Sequence, residues 1–178
     1  MKSKQEIVET NNADGYQLTY EPEGSVFSSF KLVFISTYPN FEPSKEDQKL
    51  AIEFVASELE NYIIQSTETE HPTFEDSGEG FESVRCNNCG QLMEIAEWHE
   101  HLDEAYKTEF EELDVIPNCC KKRTSLNDLI YNMDSGFSKY SLAVNGFSPY
   151  DDEQLTEQLT EHLERIFDTD LRTLFVKF

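Results

Sequence analysis

The sequence predicts an α+β fold, and this prediction rests on two observations. First, the spacing of apolar residues indicates a strand–helix–strand order twice, over residues 16–85 and again over 137–178. Second, all four cysteines lie between these two halves, from Cys86 to Cys120. Two such halves around one sheet predict a ferredoxin-like split β-α-β sandwich, interrupted by a module that carries the cysteines.

The first half begins with the alternation typical of β-strands. Tyr16, Leu18 and Tyr20 alternate with polar residues, and a turn containing Pro and Gly leads into the apolar run from Val26 to Ile35. We expect these two segments to form a hairpin whose second strand is central in the sheet.

A helix of about twenty residues is predicted next. Ser44 opens it as an N-cap, with the acidic Asp47 three residues later. Its apolar residues recur at helical spacing, namely Leu50, Phe54, Val55, Leu59, Tyr62 and Ile63. The stretch from Gln65 to Gly80 is rich in Ser, Thr, Glu, Pro and Gly, which predicts a mobile linker, and residues 81–85 are predicted to be the return strand.

The second half shows the same order. Residues 137–145 alternate as a strand, and Ser148 to Asp151 is predicted to cap a helix whose first residue is Pro149. The apolar stripe of that helix consists of Leu155, Leu159, Leu163, Ile166 and Phe167. The chain ends in a predicted strand with Leu174, Val176 and Phe178 on one side.

The cysteines have the pattern of a zinc site. Cys86-Asn-Asn-Cys89-Gly is a zinc-knuckle sequence, in which a tight turn aims two thiolates at one point. Cys119 and Cys120 follow after a spacer of about thirty residues. Adjacent side chains diverge, so the use of both as ligands requires a bent backbone, for which the preceding Pro117-Asn is suited. We predict one structural zinc held by Cys86, Cys89, Cys119 and Cys120, with free or redox-active thiols as the alternative.

These patterns divide the chain into three parts. Residues 1–14 are predicted to be a flexible N-terminus, residues 15–85 and 124–178 the α+β domain, and residues 86–123 the zinc-binding insert. Within the insert, apolar residues at helical spacing predict a helix that carries Trp98 inward, and residues 110–116 a short strand that returns to the second cysteine pair. The insert has too little apolar area to fold without metal.

Fourteen basic residues against thirty-six acidic residues give the chain a formal charge of −22. Such a charge repels nucleic-acid phosphates and anionic membranes, and it favours a basic protein partner. No apolar run has the length of a signal peptide or a membrane span. Four cysteines held as metal ligands suit a reducing compartment, so we predict a cytoplasmic protein. We expect it to bind no membrane and not to bind nucleic acid directly.

Five motifs that span about a third of the chain occur together. They are Cys86-Asn-Asn-Cys89-Gly90, Trp98-His-Glu-His-Leu102-Asp103-Glu-Ala105, Cys119-Cys120, Ser125-Leu-Asn-Asp-Leu129 and Gly136-Phe-Ser-Lys-Tyr140. The combination resembles an uncharacterised bacterial family that contains a zinc ribbon and has no established activity. The resemblance implies the four-cysteine zinc site and singles out a possible binding surface of Trp98, Asp103, Asn127 and Asp128. His99 and His101 depart from the family pattern.

No complete set of catalytic groups is apparent. Glu97, His99, Glu100 and His101 next to a metal suggest a metal-dependent hydrolase at the Trp98–His101 face, but residues two apart on a helix point about 200° away from each other. Four thiolates also leave a metal no open position. The sequence therefore favours a non-catalytic, acidic, zinc-binding interaction module, such as an intracellular adaptor, inhibitor or immunity-type protein. A DNA-mimic inhibitor is a further alternative, and no small-molecule substrate is indicated.

Overall fold

A six-stranded antiparallel sheet with three helices makes up the computed structural model, which describes residues 6–148 and 152–178. The predicted α+β class is confirmed. Across the sheet the strands lie in the order β1 (Val8–Asn12), β2 (Gly15–Tyr20), β4 (Ile63–Glu75), β9 (Gly136–Asn145), β3 (Phe30–Ser36) and β10 (Leu171–Lys177). Two small ladders pair β5 (Val84–Arg85) with β8 (Ile130–Tyr131) and β6 (Asp114–Val115) with β7 (Thr124–Ser125). The helices are α1 (Lys45–Glu58), α2 (Ile95–Tyr106) and α3 (Glu153–Phe167), and a 3-10 turn covers Leu126–Asp128.

Two strand–helix–strand units interlock in the main sheet. The unit β3–α1–β4 leaves a gap that β9 fills, and the unit β9–α3–β10 leaves a gap that β3 fills. Helices α1 and α3 pack on one face, because their apolar residues recur every three or four positions while the strands present alternate side chains to them. The core between them includes Leu18, Leu32, Phe34, Ala51, Ile52, Val55, Ile64, Leu142, Val144, Leu159 and Leu163.

Strand β4 covers residues 65–75 of the linker that composition predicts for residues 65–80, so that prediction is wrong over this part. The strand pairs with β2 on one edge and with β9 on the other. Ile64 and Ser66 are buried in the core, and the threonines that interrupt the apolar pattern have a high strand propensity. Two neighbouring strands therefore decide the conformation of a segment whose own hydrophobicity is low.

The predicted hairpin between residues 16–20 and 26–35 is also wrong. Strand β2 forms its hairpin with β1, where Asn12 pairs with Gly15, and β3 lies between β9 and β10. Strand β1 falls within the predicted flexible N-terminus, of which residues 1–5 are outside the described chain. Helix α1 is shorter than expected, because the chain turns after Glu58 to enter β4.

Residues 76–135 separate β4 from β9 and carry a second core. Glu75 pairs with Gly136 at the base of this segment. The predicted helix around an inward-facing Trp98 is present as α2, and the short strand after it as β6. The predicted return strand at residues 81–85 is reduced to β5, which pairs with β8 outside the main sheet. The second core consists of Val84, Met93, Trp98, Ala105, Leu113, Val115, Leu126, Leu129, Tyr131 and Phe137.

Helix α3 starts later than predicted. The Asp152 carboxylate accepts a hydrogen bond from the Leu155 N–H at 2.9 Å and caps the helix, and residues 149–151 of the predicted cap lie outside the described chain. The terminal strand is present as β10, with Leu174 and Val176 buried on the sheet face opposite the helices. Among the described residues, no helix combines the length and the apolar character needed to cross a membrane.

Candidate metal centre

The first cysteine pair sits in a tight turn that closes on itself. Arg85 and Leu92 form a bridge at its base. The Cys86 N–H donates to the Gln91 carbonyl at 2.9 Å, and the Gly90 N–H donates to the Cys86 carbonyl at 2.8 Å. Gly90 has a φ of 73°, in the left-handed region that glycine adopts without steric cost. The turn therefore directs two thiols, Cys86 and Cys89, to the same side.

The second pair sits in a turn closed by the same type of hydrogen bond, from a backbone N–H to the carbonyl four residues earlier. Strands β6 and β7 lead into it, and the Lys121 N–H donates to the Pro117 carbonyl at 3.0 Å. Lys121 has a φ of 55°, so it takes the place that Gly90 has in the first turn, and Pro117 takes the place of Cys86. The ligands have moved to the third and fourth positions of the turn. A left-handed non-glycine residue costs about 1–2 kcal/mol. The left-handed Lys121 provides the backbone bend that two adjacent cysteine ligands require.

The two turns bring all four sulfur atoms together. The Sγ atoms of Cys86 and Cys120 are 3.7 Å apart, and those of Cys89 and Cys119 are 3.4 Å apart. All four Sγ atoms lie within 4.8 Å of one another, and none is in a disulfide. A tetrahedron with metal–sulfur bonds of about 2.3 Å has edges of about 3.8 Å. The donor set therefore fits a tetrahedral ion, and the two adjacent cysteines face the same point.

The thiols of Cys86 and Cys119 differ in acidity. Burial of the Cys86 thiol opposes its ionisation, but hydrogen bonds from the backbone N–H groups of Cys89 and Asn88 and from the neighbouring thiols lower its pKa to about 7. Burial and the hydrogen bonds with the thiols of Cys89, Cys86 and Cys120 raise the pKa of Cys119 to about 12. Only a cation at the centre would allow all four to be ionised together, because the thiolates otherwise repel one another.

Polar side chains tie the two turns to each other and to α2. The Glu97 carboxylate accepts a hydrogen bond from the Asn118 N–H at 2.7 Å, directly before the second cysteine pair. The Thr124 hydroxyl donates to Asn87 Oδ1 at 2.7 Å across the two turns. The Arg85 guanidinium donates to the Gly90 carbonyl at 3.3 Å beside the sulfurs. The first two contacts were not predicted from the sequence, since they join residues 21 and 37 positions apart.

The four residues of the predicted binding surface occupy different environments. Trp98 and Asn127 are each 4% exposed, whereas Asp103 and Asp128 are exposed. Trp98 stacks against Phe81 with ring centroids 4.8 Å apart, inside the second core. Their burial gives Trp98 and Asn127 packing and hydrogen-bonding roles, and leaves the two aspartates as the members that a partner can reach.

The histidines of α2 do not join the thiols. His99 is exposed, and His101 Nε2 lies 3.6 Å from Glu97 Oε1. Within the described ranges, the four cysteines are the only group of metal-ligating side chains close enough to share an ion.

Comparison of the chain with models of protein families, with curated proteins and with solved structures finds no match, so the resemblance suggested by the five motifs stays a prediction.

Proposed function

We propose that the protein is a non-catalytic interaction module in which one structural zinc holds the insert together and an acidic surface binds a basic protein partner. The observation that carries this proposal is the closed set of four thiols, all within 4.8 Å of one another. A metal with four sulfur ligands has no position left for water or substrate. The strand order β10-β3-β9-β4 further supports the predicted ferredoxin-like core, with β1 and β2 added at one edge.

Zinc is the metal that we propose for this site. Soft thiolates in a tetrahedral arrangement select zinc or iron over calcium, magnesium and manganese. Each ligand pair lies in a turn at the end of a short antiparallel pairing, at Arg85–Leu92 and at β6–β7. Bound zinc would join these two turns, whose direct links in the protein are a few exposed side-chain hydrogen bonds.

The hydrolase alternative lacks suitable groups. Glu97, its candidate base, is engaged with the Asn118 N–H at 2.7 Å and is mostly buried. His99 and Glu100 are exposed and outside the thiol cluster. These contacts favour a structural role for the helix beside the metal.

The charge of −22 supports the second part of the proposal. A surface of one sign attracts a partner of the opposite sign, raises the association rate and rejects polyanions. An adaptor, inhibitor or immunity-type protein in a reducing compartment such as the cytoplasm would combine this surface with a thiolate metal site.

The structural role of zinc is tested by the zinc content of the protein and by the fluorescence of its single tryptophan. Protein purified without added metal should contain close to one zinc per chain by elemental analysis. Because Trp98 is buried in the second core beside the cysteine turns, zinc removal should shift its fluorescence to longer wavelength, while α1 and α3 keep most of the helical signal. Unchanged fluorescence and an unchanged melting point after zinc removal would contradict the structural role.

Salt tests the partner part. Affinity capture from lysate should retain basic proteins at low salt. Their association should slow markedly at high salt, because exposed charges are screened within about 8–10 Å already at physiological ionic strength. Capture that does not depend on salt, or that enriches acidic proteins, would contradict an electrostatic partner.

A further inference from the structure

A groove of about 910 Å³ runs between helix α3 and strand β10. Thr173 and Phe175 of β10 line one side, and Thr156 and Thr160 of α3 line the other. Asp134, from the loop before β9, also lines the groove. The groove therefore follows the outer edge of the main sheet, where β10 is the last strand.

Hydrogen bonds at both ends of β10 establish which of its backbone groups point away from β3. The Thr37 N–H donates to the Asp170 carbonyl at 3.0 Å, and the Phe178 N–H donates to the Ser29 carbonyl at 2.9 Å. Even-numbered residues of β10 thus bond inward to β3, since antiparallel pairs alternate between bonded and non-bonded positions. The backbone groups of the odd-numbered residues point outward.

The outward groups at the two ends of β10 are already used. The Leu171 N–H donates to the Glu164 carboxylate at 2.9 Å. At the other end, the Lys177 N–H donates to the Ser77 carbonyl at 3.2 Å and the Lys177 carbonyl accepts from Glu79. A short piece of the chain thus already pairs with this edge, in a parallel bridge between Gly78 and Lys177.

The outward backbone N–H and carbonyl groups of Thr173 and Phe175 are not used in this way. Within residues 6–148 and 152–178, no hydrogen bond is made to the outward N–H or carbonyl of either residue. They offer two donors and two acceptors at strand spacing, at the sheet edge beside the groove. An unpaired edge of this kind is a template for a further strand.

The wall of the groove is acidic. Glu153, Glu157 and Glu161 recur every four residues on α3 and line it together with Asp134. No Lys or Arg is among the lining residues, and Glu161 also pairs with Arg165, one turn further along α3, at 3.5 Å. In an added strand, residues opposite Thr173 and Phe175 would direct their side chains to the α3 side, towards these carboxylates.

We propose that an extended segment of the partner, with Lys or Arg at alternate positions, binds in this groove as an additional antiparallel strand on β10. Backbone hydrogen bonds to Thr173 and Phe175 would supply affinity, and the carboxylates of α3 would select basic side chains. This inference rests on the proposed function, because it names the site and the form of the basic partner. A second copy of the chain does not suit the site, since each copy carries a charge of −22 and would bring a second acidic helix to the edge.

Two peptides test the backbone contribution in calorimetric titrations at low salt. The first is acetyl-Lys-Thr-Lys-Val-Lys-Thr-Lys-amide, and the second is the same peptide with N-methyl groups on its central lysines. Both have the same charge, but the second lacks the N–H groups that would face β10. We expect it to bind about tenfold more weakly or worse, as the loss of two or more hydrogen bonds implies.

A matched pair of variants tests the position. Glu157→Gln/Glu161→Gln removes two charges from the groove wall, and Glu46→Gln/Glu53→Gln removes two exposed charges from α1. The groove variant should bind the first peptide roughly fivefold more weakly, whereas the α1 variant should change affinity little. Hydrogen exchange should also slow at the Thr173 and Phe175 amides when the peptide is bound.

The outcomes separate this inference from the proposed function. Equal binding of both peptides, equal effects of both variants and no protection at residues 173 and 175 would overturn strand addition, while a basic partner would still be supported. Failure of both peptides to bind would overturn both. Protection of these amides that rises with protein concentration in the absence of peptide would identify a second copy as the occupant and would also overturn the inference.

Discussion

Asn127 joins the segment between β4 and β9 to the main sheet through its side chain and its backbone. Its amide group donates to the Thr37 carbonyl at 3.0 Å, and its Oδ1 accepts from the Phe137 N–H at 2.9 Å. Its own carbonyl accepts two hydrogen bonds at 3.1 Å from the Arg172 guanidinium, which also donates to the Ser135 carbonyl at 2.7 Å. Polar groups from β9, β10 and the loop after β3 thus meet at one buried residue.

Replacement of Asn127 by Ala should destabilise the protein. The change leaves the Phe137 N–H and the Thr37 carbonyl without their partner in a buried site, which costs about 2–4 kcal/mol. Urea unfolding measures the effect, and Asp128→Ala is the matched control, because the exposed neighbour should change stability by about 0.5 kcal/mol or less. A normal stability of Asn127→Ala together with weaker partner binding would instead support the binding role suggested by the resemblance.

Glu97 positions the turn that carries the second cysteine pair. Because its carboxylate holds the Asn118 N–H at 2.7 Å, Glu97→Ala should loosen the turn that presents Cys119 and Cys120 and weaken metal binding by about tenfold, as for other groups that orient metal ligands. Competition with a chromophoric chelator measures the affinity. Glu100→Ala, an exposed neighbour on α2, should bind metal as the parent protein does. Equal losses in both variants would contradict the specific role of Glu97.

At the scale of elements, the loop after α2 is held against β4 by His71. His71 Nδ1 lies 3.0 Å from Glu111 Oε1, and its Nε2 lies 3.0 Å from Glu109 Oε2. The hydrogen bond with Glu111 raises the pKa of His71, partial burial opposes the rise, and the charges of Glu109 and Glu70 add to it. Lys139 of β9 also faces Glu111, at 3.6 Å.

This contact makes stability depend on pH. Since the folded state raises the pKa of His71 above its ordinary value of 6.5, protonation favours folding. The contribution is complete below the unfolded value and is lost as pH rises through the folded one. The difference in urea stability between the parent protein and His71→Gln should therefore be largest near pH 5.5 and shrink towards pH 8.5. Exposed His99→Gln is the control, and a difference that grows with pH would contradict the assignment.

At the scale of the whole molecule, the charge of −22 works against folding. The folded chain brings its acidic residues closer together than the unfolded chain does, and their mutual repulsion lowers the free energy of unfolding. The described ion pairs are mostly exposed and offset little of this repulsion.

Salt should therefore stabilise the protein. An increase from about 0.01 M to about 0.5 M NaCl shortens the screening length from about 30 Å to roughly 4 Å. The melting temperature should rise by several degrees, at about 2–4 °C for each 1 kcal/mol in a domain of this size. Calorimetry measures the rise, and the Glu46→Gln/Glu53→Gln variant should start higher and rise less. A melting temperature that falls with NaCl would show that attractive ion pairs outweigh repulsion.

The elements that could be predicted from the sequence are those whose signal is local. The inward face of α2 around Trp98, the strand β9, the stripe of α3 and the terminal strand β10 follow from side chains that recur with the period of their own element. The spacing of the cysteines likewise indicated a shared site, because a Cys-x-x-Cys turn is a local structure.

The pairing of the strands and the contacts between distant residues could not be predicted in this way. The polar composition of β4 is typical of a loop. It is a strand because β2 hydrogen-bonds to one of its edges and β9 to the other. The burial of Asn127 and the free edge of β10 depend in the same way on partners far away in the chain. Hydrogen bonds between distant segments leave no periodic trace in either segment, so these features could be read only from the folded protein.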